Sequence, residues 1–401
     1  MSAALYRTRH KMATHLSSSD VGLEEKIKSV NEYLIYILPF FNSLKNQPAV
    51  RLDSLMMFEW IGAFSGDRKS QKFPDVIFEV AMTLHTKAVL HYCLGRHVFK
   101  ADPIHNFAAA AQNFQAAAGV MDYMATILLP QWLTAAKRPA EADINVCRAM
   151  ADFFTADTQF MAVVKESLKG GDVGPLTIKL CVSALRTVDE GLDRFETIRK
   201  DDLCFGSDIP LFNRTFYAAL AYFYSGEAAR LKDDNVGIAL GYYREAISRA
   251  NDITAGGKEN LAKLDRMSTT SPFLREGVQH LLNSIRTSTA SASRDNDMIF
   301  FQPVPIQRDL PSLPTGILVM ARKMFNPPAD EAITMFKYDE ERSKIPVGTR
   351  WVPIVAVIPS APPAYESTMA LGWDERGKEA IDADHKFAME LQKKLNCDEK
   401  A

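Results

Sequence analysis

Apolar residues recur at helical spacing over most of the first 300 positions. Between Leu23 and Leu38 the stripe is Ile27, Val30, Tyr33, Leu34, Ile37 and Leu38. Pro39, with no amide hydrogen to donate, is expected to stop that helix. Pro74 suits a first helical turn and Gly95 an exit, bracketing a helix over 75–94. An Ala-rich stretch predicts a helix over 104–129, ahead of Pro130. Further helices are predicted over 143–169, 175–200, 209–232, 237–252 and 272–293, with glycine pairs at 170–171 and 256–257 as turns.

Two segments leave this pattern. Residues 55–64 (LMMFEWIGAF) are short and aromatic, as a strand or extended edge is. At 295–305 (DNDMIFFQPVP) an Asn/Asp cluster ends the last helix, an apolar segment follows, and two prolines close it. Asn and Asp compete for backbone hydrogen bonds and favour caps and turns. Pro303 and Pro305 fit neither a ladder nor a helix interior. The apolar run between them is expected to be extended and docked on the body.

One spacing occurs twice. Ala110, Phe114 and Ala117 lie at intervals of four and three; Ala239, Tyr243 and Ala246 repeat them, preceded by Tyr222, Tyr224 and Gly226. A small residue that lets a neighbouring helix's aromatic ring approach is a tetratricopeptide device, although any close helix crossing can carry the same spacing. The predicted fold is mainly α, a tetratricopeptide-like array with a small β element. Beyond about 321 prolines interrupt the chain at 327, 328, 346, 353, 359, 362 and 363, and a charged helix is predicted over 375–396. The expected organisation is a short N-terminal segment (1–20), a main domain (21–345), and a Pro-containing tail (346–401) partly packed on the body.

Composition changes this picture little. Of 401 residues 47% are apolar and 24% charged, with a net charge of -2, so no electrostatic case arises for nucleic acid or an anionic membrane. The five cysteines (Cys93, Cys147, Cys181, Cys204, Cys397) are scattered without a CxxC pair, which suits a reducing compartment. No apolar run reaches bilayer length, and the basic start (Arg7, Arg9, Lys11) has no apolar region of the secretory kind. A soluble, cytoplasmic protein is expected.

Catalytic signatures are missing: there is no GxGxxG, GxxxxGK[ST], HExxH or GxSxG, and no His/Cys cluster at zinc spacing. His91 and Cys93, two apart on a predicted helix, point to different faces. His85 and His97 stand alone. No catalytic residue, metal site or cofactor is predicted.

Residues 295–305 resemble the D-N-D-F-I-Y-x-x-x-V-P stretch of the Bro-domain family, found in Alix-type and Brox-type proteins. Phe58–Phe64 (FEWIGAF) is similar to the family's F-x-W-x-D-A-F strand, with Gly62 replacing the acid. Phe216, Tyr217, Tyr222, Tyr224, Gly226 and Glu227 resemble the aromatic helix of Brox-like members. The three anchors keep the family's order over roughly residues 20–320, and the layout is closest to the Brox type. The resemblance implies an elongated, boomerang-shaped helical domain with a tetratricopeptide-like core. It also implies an adaptor that binds the C-terminal amphipathic helix of an ESCRT-III subunit of the Snf/CHMP type, in endosomal sorting or membrane remodelling. The family's paired apolar groove residues fall on Leu176 and Leu180, four apart on one predicted helix.

The resemblance has departures. The Tyr of the family's I-Y pair is Phe300, which removes a phosphorylation site, and the N-terminus is short for the family's first strands. Brox-type proteins end in a prenylated CaaX box, whereas Cys397 is followed by Asp398, Glu399, Lys400 and Ala401, four residues rather than three and mostly polar, which do not fit one. Membrane association is therefore expected only through partners. In the tail, Pro359-Ser360-Ala361-Pro362 matches the P-[ST]-A-P peptide of ESCRT-I, and Pro362-Pro363-Ala364-Tyr365 matches the PPxY ligand of WW-domain ubiquitin ligases. Sharing Pro362, the two motifs exclude each other. The alternatives are a tetratricopeptide-like scaffold for another peptide and, less favoured, an enzyme whose site is assembled by the fold.

Overall fold

The computed structural model describes residues 3–45, 57–61, 70–102, 104–132, 138–168, 174–196, 208–232, 234–254, 272–328 and 354–355. All lie in the compact unit Met1–Ser360. The helices are α1 (Ala3–Ser17), α2 (Leu23–Lys45), α3 (Val76–Ala101), α4 (Phe107–Tyr123), α5 (Ile144–Ser167), α6 (Pro175–Glu196), α7 (Asp208–Lys232), α8 (Val236–Thr254) and α9 (Pro272–Asp295). Each packs chiefly on the next in sequence, the connectivity of a helical array in which the core grows pair by pair.

The β element is a small sheet of order β2-β1-β3: β1 (Phe58–Ile61), β2 (Ser70–Phe73) and β3 (Ile354–Val355). β1 pairs antiparallel with β2, Phe58 facing Phe73, and parallel with β3, Trp60 facing Ile354. The strand expected within 55–64 is β1, and its alternate residues Phe58 and Trp60 are buried.

Two expected helix ends lie inside helices. Pro39 is interior to α2. Its missing N–H forfeits a bond to the carbonyl of Ile35, on an exposed position, while Phe40, Phe41 and Leu44 downstream continue to pack on the core. Packing carries the helix past the proline. Gly95 is interior to α3, and the reason is contact rather than turning. A Cβ on Gly95 would stand 2.7 Å from Cε1 of Phe114 on α4. Gly226 on α7 receives Tyr243 of α8 in the same way, a Cβ there falling 2.5 Å from Tyr243 Cε1. α4 itself starts later than expected, at Phe107, and passes into a π-type turn at Met124–Leu128.

Two buried carboxylates join the elements. Glu79 of α3 accepts hydrogen bonds from Arg9 Nε (2.7 Å) and Nη2 (3.2 Å), Tyr33 OH (2.9 Å) and Trp60 Nε1 (2.6 Å). Residues 1–20, expected as a short separate segment, thus contain a helix tied to α2, α3 and β1. Asp157 of α5 accepts from Tyr92 OH (2.9 Å), Tyr217 OH (2.7 Å) and Asn213 Nδ2 (2.9 Å), linking α3, α5 and α7. Burial pushes the Asp157 carboxyl up from the usual carboxylate range, opposed by the Tyr217 and Tyr92 hydroxyls and the Arg96 charge.

Candidate functional site

Beyond α9 the apolar run 298–301 is not the docked strand that the 295–305 pattern suggests, whereas Val304 behind it does pack on the core. Asn296–Phe300 form a π-type turn, and Phe301 ends it at φ 52, in the left-handed region. The Asn296 side chain donates to the Gln302 carbonyl (3.0 Å) and accepts from the Gln302 amide (3.0 Å). Gln302 in turn donates to the Asp234 carbonyl (2.9 Å) and accepts from the Gly237 amide (2.9 Å), at the α7–α8 corner. This polar lock makes the turn, and its apolar residues point outward: Met298, Ile299 and Phe301 are 76%, 67% and 74% exposed.

Residues 301–328 then run back over the helices as an irregular strap, meeting them in reverse order. Tyr242 OH of α8 donates to the Pro311 carbonyl (2.9 Å). The Ile317 amide donates to the Lys179 carbonyl of α6 (3.2 Å). On α5, Gln159 donates to the Ile317 carbonyl (2.6 Å) and accepts from the amides of Val319 (3.3 Å) and Met320 (3.4 Å), doing with a side chain what a neighbouring strand does with its backbone. On α4, Gln115 bonds the strap at Ala321 (2.9 Å) and Lys323 (3.3 Å). At the far end Phe325 packs on Tyr123, 5.1 Å between ring centroids, and Lys87 of α3 sits 4.8 Å over its ring. Burial pushes the Lys87 ammonium down to about 8.

One arginine holds the middle. Arg322 bonds Asp122 (2.7 Å), Asp152 (2.5 Å) and Thr155 (3.0 Å), and Asp152 also accepts from Arg194 (2.9 Å). Burial raises the Asp152 carboxyl while the two guanidiniums lower it. Three donors fixed on one planar head, each aimed at a different acceptor, suit such a junction better than a lysine's single ammonium.

The expected pair separates. Leu176, in the first turn of α6, is 42% exposed, whereas Leu180 is 1% exposed and belongs to the core. Four residues advance a helix by more than a full turn, so Leu180 is rotated about 40° from Leu176. That rotation brings it onto the side of the buried Cys181 and Ala184. The two leucines do not share an exposed face. Near Leu176, one turn along α6, the strap crosses at Lys179 and presents Ile317, Leu318 and Val319, each exposed. Sequence reading missed this apolar row; the signal was the run Gly316-Ile317-Leu318-Val319-Met320 between prolines and Arg322. Pro359, Ser360, Ala361, Pro362, Pro363 and Tyr365 lie outside the described residues, as do Gly62 and the glycine pairs at 170–171 and 256–257. Among the described residues no group of three His, Cys, Asp or Glu is placed to hold a metal, and no helix is long and apolar enough to cross a membrane.

The BRO1-like domain model matches residues 4–344, and the chain belongs to that family. A solved structure described as an ALIX BRO1 CHMP4C complex superposes with a TM-score of 0.63 at 14% identity, covering 81% of this chain and 86% of that one. ALIX in complex with the SIVmac239 PYKEVTEDL late domain gives 0.65 at 14% identity, over 82% of this chain but 44% of that one. A third, described as the structure basis for endosomal targeting by the Bro1 domain, gives 0.56 at 14% identity over 80% and 83%. The fold class expected from the residues is thereby shared with these domains. No curated protein matches the sequence.

Proposed function

We propose that this member of the BRO1-like family is an ESCRT-associated adaptor that binds the C-terminal amphipathic helix of an ESCRT-III subunit of the Snf/CHMP type. It is proposed to do so on cytoplasmic, endosome-associated membranes and as an adaptor rather than a catalyst. The carrying observation is that Leu176 is exposed in the first turn of α6, and that the strap with its exposed Ile317, Leu318 and Val319 is bonded to the same helix at Lys179, about one turn on. An amphipathic helix presents apolar side chains at i, i+3 and i+4, and a strip of exposed aliphatics on a rigid helical support is the surface that accepts them. The support here is firm: Gln159 and Arg322 fix the strap, and Leu180 fills the core beneath. Family membership and the likeness to the CHMP4C-bound domain support the same ligand class. The tail's Pro359–Pro362 and Pro362–Tyr365 motifs are proposed as secondary recruitment peptides for ESCRT-I and WW-domain partners.

Fluorescence anisotropy with synthetic ESCRT-III C-terminal helices tests the groove. Leu176→Asp and Leu318→Asp are expected to weaken binding by about tenfold or more with an unchanged melting temperature, since each removes an exposed apolar contact. Wild-type affinity in both folded variants would sink the assignment. Leu180→Asp is a poor probe, because it buries a carboxylate and unfolds the protein for reasons unrelated to ligand.

A further inference from the structure

We propose that the tip formed by Met298, Ile299 and Phe301 inserts into the interface of a zwitterionic lipid bilayer, a direct membrane contact separate from the peptide groove. Four consecutive apolar residues, 298–301, occupy the turn that ends α9, and three of them are more than two-thirds exposed. Consecutive side chains on a helical turn point in different directions. The tip is therefore apolar on several sides at once. A protein groove meets a helix along one stripe, whereas a bilayer interface surrounds a projecting tip and buries all of its sides.

The tip is also held rigid before it meets anything. The Phe301 amide donates to the Asn296 carbonyl at 2.7 Å, Asn296 clamps Gln302 through both side-chain atoms, and Gln302 is bonded to the α7–α8 corner. Little ordering entropy is left to lose on insertion. The charges at its base fit one headgroup class. Arg294, one turn before Met298, and Asp297 are both exposed; Asp295 is paired with Arg230 at 2.8 Å. The adjoining corner adds the exposed Asp234. One guanidinium and one carboxylate complement the phosphate and the trimethylammonium of a phosphatidylcholine headgroup. The basic cluster that an anionic leaflet recruits is not present among these described residues.

The test is flotation of the full chain with small sonicated phosphatidylcholine vesicles at about 0.1 and about 0.5 M salt, which spans strong and weak screening. Comparable partition at both salts is expected. The double variant Ile299→Ser, Phe301→Asn should lower the partition by about tenfold or more. It should keep the wild-type melting temperature and wild-type binding of an ESCRT-III helix, since asparagine tolerates the left-handed backbone at position 301. As a second readout, Phe301→Trp should be quenched by vesicles with brominated acyl chains. Any of three results overturns the proposal: no wild-type flotation, equal flotation of the double variant, or binding confined to anionic vesicles and abolished by salt. Unquenched Phe301→Trp on floated protein also overturns it. A protein ligand lost from the double variant without any vesicle binding reassigns the tip to protein recognition.

Discussion

The α3–α4 and α7–α8 pairs are built around the same notch and anchor it differently. In each, an aromatic ring lies on a helical glycine, Phe114 on Gly95 and Tyr243 on Gly226, with a buried alanine four residues before the ring and another three after it. The difference is one oxygen. Tyr243 OH donates to Glu227 at 2.5 Å, back onto the helix it packs against. Phe114 has no hydroxyl and packs instead on Tyr92, 5.5 Å between centroids, whose own hydroxyl reaches Asp157 on α5. One notch is closed within its helix pair; the other passes its polar anchor to the next pair. Between them α5–α6 has the notch reversed, with Phe153 on the first helix and Gly191 on the second, a Cβ there lying 2.6 Å from the ring. The notch is thus a property of close helix crossing and not of one repeat register.

Removing the rings should break both notches with the largest effect. Phe114→Ala and Tyr243→Ala are each expected to cost about 3–5 kcal/mol in urea unfolding, the range for truncating a buried aromatic. A loss below about 1 kcal/mol at either site would mean that ring is not seated as described. Filling the glycines comes next. Gly95→Ala and Gly226→Ala should cost about 1–3 kcal/mol, because a Cβ at 2.5–2.7 Å must displace a packed ring. Gly277→Ala on α9, with nothing within 4 Å of the new Cβ, should stabilise by about 0.5–1 kcal/mol through helix propensity. A double-mutant cycle sharpens the contrast: Gly226→Ala in a Tyr243→Leu background should lose much of its cost, and an unchanged cost would place the clash elsewhere.

These notches also mark how far the sequence was legible. The intervals at 110/114/117 and 239/243/246 were readable, and so was Gly226, because the ring and the small residue fall in neighbouring predicted helices. Gly95 was not, since a lone glycine in an apolar periodic run reads equally as an end or as a contact, and only the partner ring decides. Pro39 was misread for the same reason: local chemistry argues for a stop, and downstream packing overrides it. Leu176 and Leu180 look alike at i and i+4, yet about 40° of rotation separates surface from core. The run at 298–301 looked like docked apolar chain because its exposure depends on Asn296 clamping Gln302, and on Gln302 bonding a corner 65 residues away in sequence. The family itself was legible because its three anchors keep order and spacing, which needs no packing information.

The one-oxygen difference makes the smaller predictions. Tyr243→Phe converts the α7–α8 notch to the α3–α4 type and should cost only about 0.5–1.5 kcal/mol, the net value of one hydrogen bond. Phe114 offers no corresponding change. The smallest effect is in pH. Burial first, and then the neighbouring Glu227, raise the Tyr243 phenol above its ordinary value. A phenol whose folded pKa exceeds its unfolded value keeps its proton in the folded state after the unfolded chain has lost it. Its contribution is therefore complete below about pH 10, the ordinary tyrosine value, and is lost as pH rises beyond it. Tyr33, Tyr92 and Tyr217 are raised in the same direction, so the wild-type protein should lose stability steadily in alkali. Tyr243→Phe should make that alkaline decline shallower than in wild type, while Phe114→Leu leaves its slope untouched. Equal slopes in Tyr243→Phe and wild type would show that the hydroxyl of the α7–α8 notch titrates as an ordinary phenol. The two notches would then differ in sequence but not in electrostatics.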